Sequence, residues 1–396
     1  MQDSRRSFFT HQAQTSPYPI DIEISRAEGS WLYGPNGEKY LDFISGIGVA
    51  NIGHSHPDII KAIKTQIDRH MHVMVYGEYR QSAQYLLATE LASLLPESLN
   101  MSYFVNSGAE ANEAAMKLVK RATGRTEILA FRGAYHGSTH GTLSLAGNED
   151  RKRAFRPLLP DIGFLTFNDP GELNRITNRT AAVFAEVIQG DAGIRIPDKK
   201  YVTALRKRCT ETGTLLVFDE IQSGMGRTGK LFAFEHYNVV PDLLTIGKAF
   251  GGGMPIAALV ASNELMELFT RDPVLGHITT FGGHPVNCAA ALANLEVLTN
   301  QIDFRDVLQK GEYITEKLMQ IPGIQQVRSK GLYIAVDLES PEKVNGVIES
   351  CRSEGLLLFY FLSTRNSFRI APPLNISMED LDFGIEVINK SIQRLK

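Results

Sequence analysis

At 396 residues, with 43% hydrophobic and 21% charged residues, the chain has the make-up of a soluble globular enzyme with one or two well-filled cores. A formal net charge of −3 with no polybasic run argues against a nucleic-acid partner. Cys209, Cys288 and Cys351 are scattered and form no CxxC pair, which fits small core residues in a reducing cytoplasm and argues against structural zinc.

Residues 1–19 include basic side chains but no apolar stretch of the kind a secretory signal needs. No segment approaches the roughly 20 apolar residues of a membrane span, so a cytoplasmic location is expected. From 22 to 43 the pattern predicts a short antiparallel arm, with Gly34-Pro35-Asn36-Gly37 as the turn between Trp31-Leu32-Tyr33 and Tyr40-Leu41-Asp42-Phe43. A glycine-rich loop follows, and Pro57 opens a helix reaching Ile67. His54 and His56 in that loop have no third ligand nearby and are expected to serve as hydrogen-bond partners.

From Phe104 strands and helices alternate. Strands are expected at 102–105, 128–131, 181–187, 214–218, 243–246 and 256–260, with helices at 109–121 and 202–212. This βα repetition predicts an α/β fold with a mostly parallel central sheet and helices on both faces. After Pro285 the texture changes. Helices at 285–300 and 303–320 precede short strands at 325–328, 332–337, 356–361 and 368–370 and a last helix at 379–394, the pattern of a smaller α+β domain. The expected division is an arm (1–50) packing with the small domain, a large domain (51–285) and the small domain itself (286–396).

Two strand-length apolar runs each end in a charge: 214–218 leads into Asp219, and 243–246 leads through Gly247 into Lys248. Ligands of parallel sheets bind at the carboxyl ends of the strands, so the carboxylate and the amine are expected in one crevice. Burying either is costly without a task or a partner. A lysine forming a Schiff base with an aldehyde cofactor and an aspartate holding its ring nitrogen is one solution, and an ordinary ion pair is the other. Ser107 followed by Glu110 is a capping box, whose helix start also suits a phosphate. Tyr135 and His136 end the next strand, where the tyrosine is either a stacking face or a plain loop side chain.

Taken together, the runs NSGAEANEAAMKLVKRATGR, AYHGST, EVIQGDAG, LLVFDEIQSGMGRTGKLFAFEH, PDLLTIGKAFGGGMPIAA and TTFGGHPVNCAAALA resemble the class III aminotransferases of pyridoxal-phosphate fold type I. Order and spacing agree across residues 20–375, and the nearest flavour is the acetylornithine, ornithine and 4-aminobutyrate group. The resemblance implies transfer of an amino group from an ω-amino acid or diamine-type donor to a 2-oxo acid by a ping-pong route. An aminomutase, racemase or decarboxylase on the same scaffold is the alternative.

The resemblance also implies roles. Lys248 is the lysine that binds pyridoxal phosphate and then moves protons as base and acid, and Asp219 holds the pyridine nitrogen protonated, with His136 orienting it. Tyr135 and Ile221 cover the two ring faces, Gln222 bonds the ring hydroxyl, Glu186 belongs to the cofactor set, and Ser107, Gly108 and Ala109 take the phosphate. Thr280 matches a threonine that completes the partner's phosphate site, which implies a homodimer. Arg369 matches the residue that grips an α-carboxylate.

Three positions depart from the family pattern. Asp191 stands where a glutamate usually pairs with that arginine, and is expected to reach Arg369 only through water or to favour a different donor. Ser138 replaces an arginine that holds a distal carboxylate, with Arg80 a candidate to compensate. His284 replaces the usual asparagine before Pro285.

Overall fold

The computed structural model describes residues 4–395. Near its start, β1 (Arg26–Glu28), β2 (Trp31–Tyr33) and β3 (Lys39–Asp42) form an antiparallel meander. The predicted turn closes the β2–β3 hairpin and sets Trp31 opposite Leu41. Gly37 takes a φ of 92°, and the Glu38 carboxylate accepts from the backbone N–H and the side-chain amide of Asn36. Both features belong to a tight turn.

The central sheet is built from β4 (Met101–Val105), β5 (Glu127–Phe131), β6 (Ile162–Leu165), β7 (Thr180–Glu186), β8 (Leu215–Asp219), β9 (Leu243–Ile246) and β10 (Ala257–Ala261). Across the sheet the order is β4-β10-β9-β8-β7-β5-β6. Only β10 runs against its neighbours, antiparallel to both β4 and β9, so the expectation of a mostly parallel sheet holds. Every residue of β7, β9 and β10 is buried, which is why those runs read as continuously apolar rather than alternating.

The alternation is still present, divided between two cores. Ile128, Ala130, Phe184, Val217 and Leu259 pack with Ala115 and Leu118 of the helix Gly108–Thr123. Leu129, Phe131, Val183, Phe218 and Leu244 join the larger core with Tyr201 and Leu205 of the helix Lys199–Thr212. Each buried leucine or phenylalanine contributes about 1.5–3 kcal/mol relative to exposure, so the sheet is clamped from both faces.

In the C-terminal part, β11 (Gln326–Lys330), β12 (Tyr333–Asp337), β14 (Phe359–Tyr360) and β15 (Ser367–Ile370) make a second sheet in the order β11-β12-β15-β14. The expected strand at 356–361 is in fact two. β13 (Leu356–Leu357) leaves this sheet to pair in parallel with β3 of the N-terminal arm, and β14 pairs with β15. An unbroken apolar run carries no mark of where the chain changes sheets, because both halves are equally suited to burial. Two helices that the sequence reading does not predict, Ser82–Ser93 and Pro341–Ser353, cover the large and small parts. The helix Pro285–Asn300 packs on Pro57–Arg69 and on Ser82–Ser93. Among the described residues no helix is long and apolar enough to cross a membrane.

Candidate active site

The carboxyl ends of β7, β8 and β9 and the loop after β5 surround a cavity of about 520 Å³. Asp219 closes β8 and is buried. Its Oδ2 faces His136 Nδ1 at 2.7 Å and accepts from Asn112 Nδ2 at 2.8 Å, while Oδ1 accepts from the Ile221 N–H at 3.0 Å. Asn112 also donates to the His136 carbonyl and accepts from Thr245 Oγ1. Burial opposes a charge on His136, but the hydrogen bond and the charge of Asp219, with Glu186 beyond, outweigh it and raise its pKa. The ring therefore donates from Nδ1, and its buried Nε2 has no partner. The expected pairing of His136 with Asp219 is a direct one. Asn112 is the member that motif reading misses, although it lies four residues after Gly108 on one helix face, a phase that could have found it.

Lys248 follows β9 through Gly247 and takes a φ of 48°, a left-handed conformation that costs a side-chain-bearing residue about 1–2 kcal/mol. Burial, reinforced by the Arg369 guanidinium, pulls its pKa down to about 8 against the opposing pull of Asp219, Glu186 and Asp191. Lys248 and Asp219 both line the cavity, as the two strand ends predict.

The helix Gly108–Thr123 points its start at the same space. Ser107 Oγ accepts from the Glu110 N–H at 3.2 Å, and Glu110 reaches back to the N–H and the side chain of Asn106 rather than to Ser107 itself. The first N–H groups, of Gly108 and Ala109, have no intrahelical acceptor. A Cβ on Gly108 would stand 2.6 Å from Ile221 Cδ1, so only a glycine lets the two walls approach.

Tyr135 donates its N–H to Glu186 Oε1 at 2.9 Å, and its hydroxyl lies 3.0 Å from Ser138 Oγ. Glu186 Oε2 accepts from the Gly190 N–H at 2.7 Å. Burial raises the Glu186 pKa to about 7, although His136 pulls the other way. Ser107, Gly108, Ala109, Ser138, Ile221 and Gln222 complete the predicted lining.

Arg369, on β15, lies beside this group. Its Nη2 is 3.5 Å from Asp191 Oδ1, with both side chains buried, so the expected water-bridged relation is replaced by a long direct contact. The reason lies in Asp191's other partners: Oδ1 accepts from the Leu362 N–H and Oδ2 from Ser363 Oγ, both at 2.9 Å, which hold the shorter side chain back. The guanidinium stands 4.6 Å from the Phe361 ring centroid. Tyr333, which the sequence reading does not single out, is buried with an unpartnered hydroxyl. A Cβ on Gly190 would come within 2.0 Å of that hydroxyl and 2.5 Å of Gln222 Oε1, so Gly190 is fixed as glycine by three converging polar groups, Glu186 being the third.

Two predicted residues fall elsewhere. Arg80 lines a different cavity with Tyr76, Gln84 and Phe104, so it does not replace the arginine absent at Ser138 in this chain's own site. Thr280 is exposed in the segment before Pro285 and does not line the cavity. His54 Nε2 bonds Asp42 at 2.8 Å, and His56 and His284 cap the helices that begin at Pro57 and Pro285.

The family model described as aminotransferase class-III matches residues 12–392. Acetylornithine aminotransferase of Bacillus cereus is 38% identical over 378 residues, covering 94% of this chain and 95% of the relative. Ornithine aminotransferase 2 of Staphylococcus aureus strain MRSA252 is 39% identical, with 97% of each chain covered. Among solved structures, the ornithine aminotransferase from Toxoplasma gondii superposes with a TM-score of 0.91 at 27% identity, covering 99% of this chain and 96% of that one. A second structure of an ornithine aminotransferase from that organism is described with partial occupancy of pyridoxal phosphate at its active site.

Proposed function

The chain belongs to the class-III aminotransferase family, and on that premise we propose that it moves an amino group from an ω-amino acid or diamine-type donor to a 2-oxo acid, favouring donors that need no second carboxylate clamp, using the cavity around Lys248 and Asp219. One observation carries this reading. An amine, a buried and oriented carboxylate, and a helix start with free N–H groups meet on a single cavity of about 520 Å³. That set fits pyridoxal phosphate, with the phosphate on Ser107, Gly108 and Ala109 and the ring between Tyr135 and Ile221. When bound, the cofactor supplies an aldehyde carbon that takes amines covalently and a ring that draws electrons from the donor carbon.

The protein supplies the rest. Asp219 retains acceptor capacity beside its three donors and would hold a proton on the ring nitrogen, while His136 and Asn112 fix the carboxylate's plane. Gln222, on the same cavity wall, would bond the ring hydroxyl. Lys248 Nζ, with a pKa of about 8, is partly unprotonated near neutrality. Its amine is the group that would move a proton as base and then acid beside the bound cofactor. Arg369 grips an α-carboxylate, and Asp191 shares that guanidinium when the substrate end is uncharged.

The donor class rests on Ser138. With Tyr135 and Thr139 it gives the cavity a hydroxyl-lined flank rather than a guanidinium, which suits an amide, alcohol or amine terminus. Thr280, exposed and outside its own chain's cavity, is suited to close a second copy's phosphate site, so the working unit is a homodimer. The pairing of β3 with β13 supports a small domain that joins the arm 1–50 to the C-terminal sheet, whereas the helix Pro285–Asn300 packs on helices of the large part, so the boundary proposed at 285/286 moves to after that helix. A cytoplasmic location agrees with three buried free thiols.

The test is the half-reaction. Purified protein given donor but no acceptor should convert wholly from the pyridoxal to the pyridoxamine form, followed by absorbance, and Lys248→Ala should abolish it. A protein that turns donor over while keeping the pyridoxal form would instead be a racemase or decarboxylase. Faster turnover of donors ending in a carboxylate than of diamines would refute the donor class.

A further inference from the structure

Outside the Lys248 site a second cavity, of about 770 Å³, is lined by Arg132, Arg151, Arg195 and Arg365, together with Asn148 and Asp150 among others. The four guanidiniums come from four separate segments: the end of β5, the short helix Glu149–Arg151, the turn that pairs Gln189 with Arg195, and the 361–366 loop. Among the described residues none of the four makes an ion pair or a side-chain hydrogen bond. The Nε of Arg151 is buried without a partner. Glu149 also lines the cavity, but its carboxylate is taken by Arg156 at 2.6 Å and lies 3.8 Å from Lys152, which leaves Asp150 as the only carboxylate there with no cationic partner. Arg132, Arg195 and Arg365 are exposed and Arg151 is half-buried, so water can solvate the four charges, but a concave wall of one sign focuses its field on an entering anion.

The wall of this cavity is also the back of the donor site. Leu362 N–H and Ser363 Oγ, next to Arg365, hold the Asp191 carboxylate. Arg195 closes the turn that carries Asp191, through paired backbone bonds with Gln189 at 2.9 and 3.0 Å. Arg328 anchors the same turn at the Gly193 carbonyl. Drawing Arg195 and Arg365 together therefore acts on both supports of the residue that shares Arg369.

We propose that this cavity is a second ligand site, for a compact polyanion such as a phosphate ester or a tricarboxylate, whose occupant acts on the donor site through Asp191. Arginine forks match phosphate and carboxylate oxygens alike, so the chemistry is shared by the two sources. Binding itself does not depend on the donor reading given above, whereas the effect at Arg369 does.

The test is calorimetric titration of the pyridoxal-phosphate-loaded protein with pyrophosphate and, separately, citrate, at constant ionic strength set by chloride. At least one should bind, and the double variant Arg151→Ala/Arg365→Ala should weaken it roughly tenfold or more, as loss of two charge-assisted contacts requires. Turnover without added anion should be unchanged, and saturating anion should shift the KM for a donor with an α-carboxylate in the wild type but not in the double variant. Should the double variant fail to fold by circular dichroism, Arg195→Gln provides the same comparison. The proposal is overturned if neither anion binds, or if Arg369→Gln abolishes binding while the cavity variants keep it, since the anion would then sit in the donor site. Binding that leaves the donor KM unmoved would overturn it equally.

Discussion

Asp219 makes its charge useful through what surrounds it. Three protein donors fix its two oxygens, and one of them, His136, is held protonated by the contact. Motif and strand pattern were enough to find Asp219 and Lys248, because a charge ending a buried strand is conspicuous. They could not find Asn112 or Tyr333, whose residue types are unremarkable and whose roles depend on neighbours more than a hundred positions away along the chain. Ser138 offers the sharpest residue-level prediction. Ser138→Arg should raise kcat/KM about tenfold for donors with a carboxylate distant from the reacting amine, relative to donors ending in an amine, since a charge-assisted pair is worth about 1.5–3 kcal/mol. Steady-state kinetics on one donor of each kind measures it, and an unchanged ratio would show that position 138 does not face the donor.

At the scale of elements, the start of the helix Gly108–Thr123 is the part most exposed to small changes. Gly108→Val should weaken cofactor binding by roughly tenfold through overpacking against Ile221, and adding Ile221→Ala should restore much of it. Equilibrium dialysis of pyridoxal phosphate against the apoprotein reads both, and failure of the rescue would place the damage elsewhere. A second contact ties the ends of the chain together. A Cβ on Gly384, in the helix Met378–Arg394, would lie 2.1 Å from Phe43 Cζ in the fully buried seam beside β3. Gly384→Ala should cost about 1–3 kcal/mol in denaturant unfolding, and Phe43→Leu in the same chain should recover part of it. Additive losses in the double variant would mean that the two side chains do not meet. That the arm meets the C-terminal part is legible in the sequence, but the strand it pairs with is not: β13 lies more than three hundred residues from β3 and is hidden in a uniform apolar run.

For the whole molecule, the buried carboxyls set the pH response. Burial raises Glu186 to about 7 and Glu220, which accepts from the Ala233 and Phe234 N–H groups, to about 8. The folded protein thus keeps protons that the unfolded chain has lost, so this stabilisation is full below the unfolded carboxyl range and disappears as pH rises through about 7 and 8. His136, also raised, acts in the same sense. Lys248, depressed to about 8, acts oppositely above that value, so the fall in stability should be clearest between pH of about 6 and 8. The Tm of the apoprotein by scanning calorimetry should drop across that window, and Glu220→Gln should flatten its upper part. A Tm that climbs over the same interval would contradict the buried, neutral carboxyls.

By itself the sequence determined the alternation of strands and helices, the crevice at the strand ends and the identity of its amine and carboxylate, because periodicity and chain-local motifs are written in adjacent residues. Tertiary structure alone decided which sheet each half of the 356–361 run joins, where Asp191 points, and that four arginines from distant segments face one cavity. Those outcomes depend on contacts between segments far apart in the chain. No local pattern encodes them, since their energies arise only once the segments have been brought together.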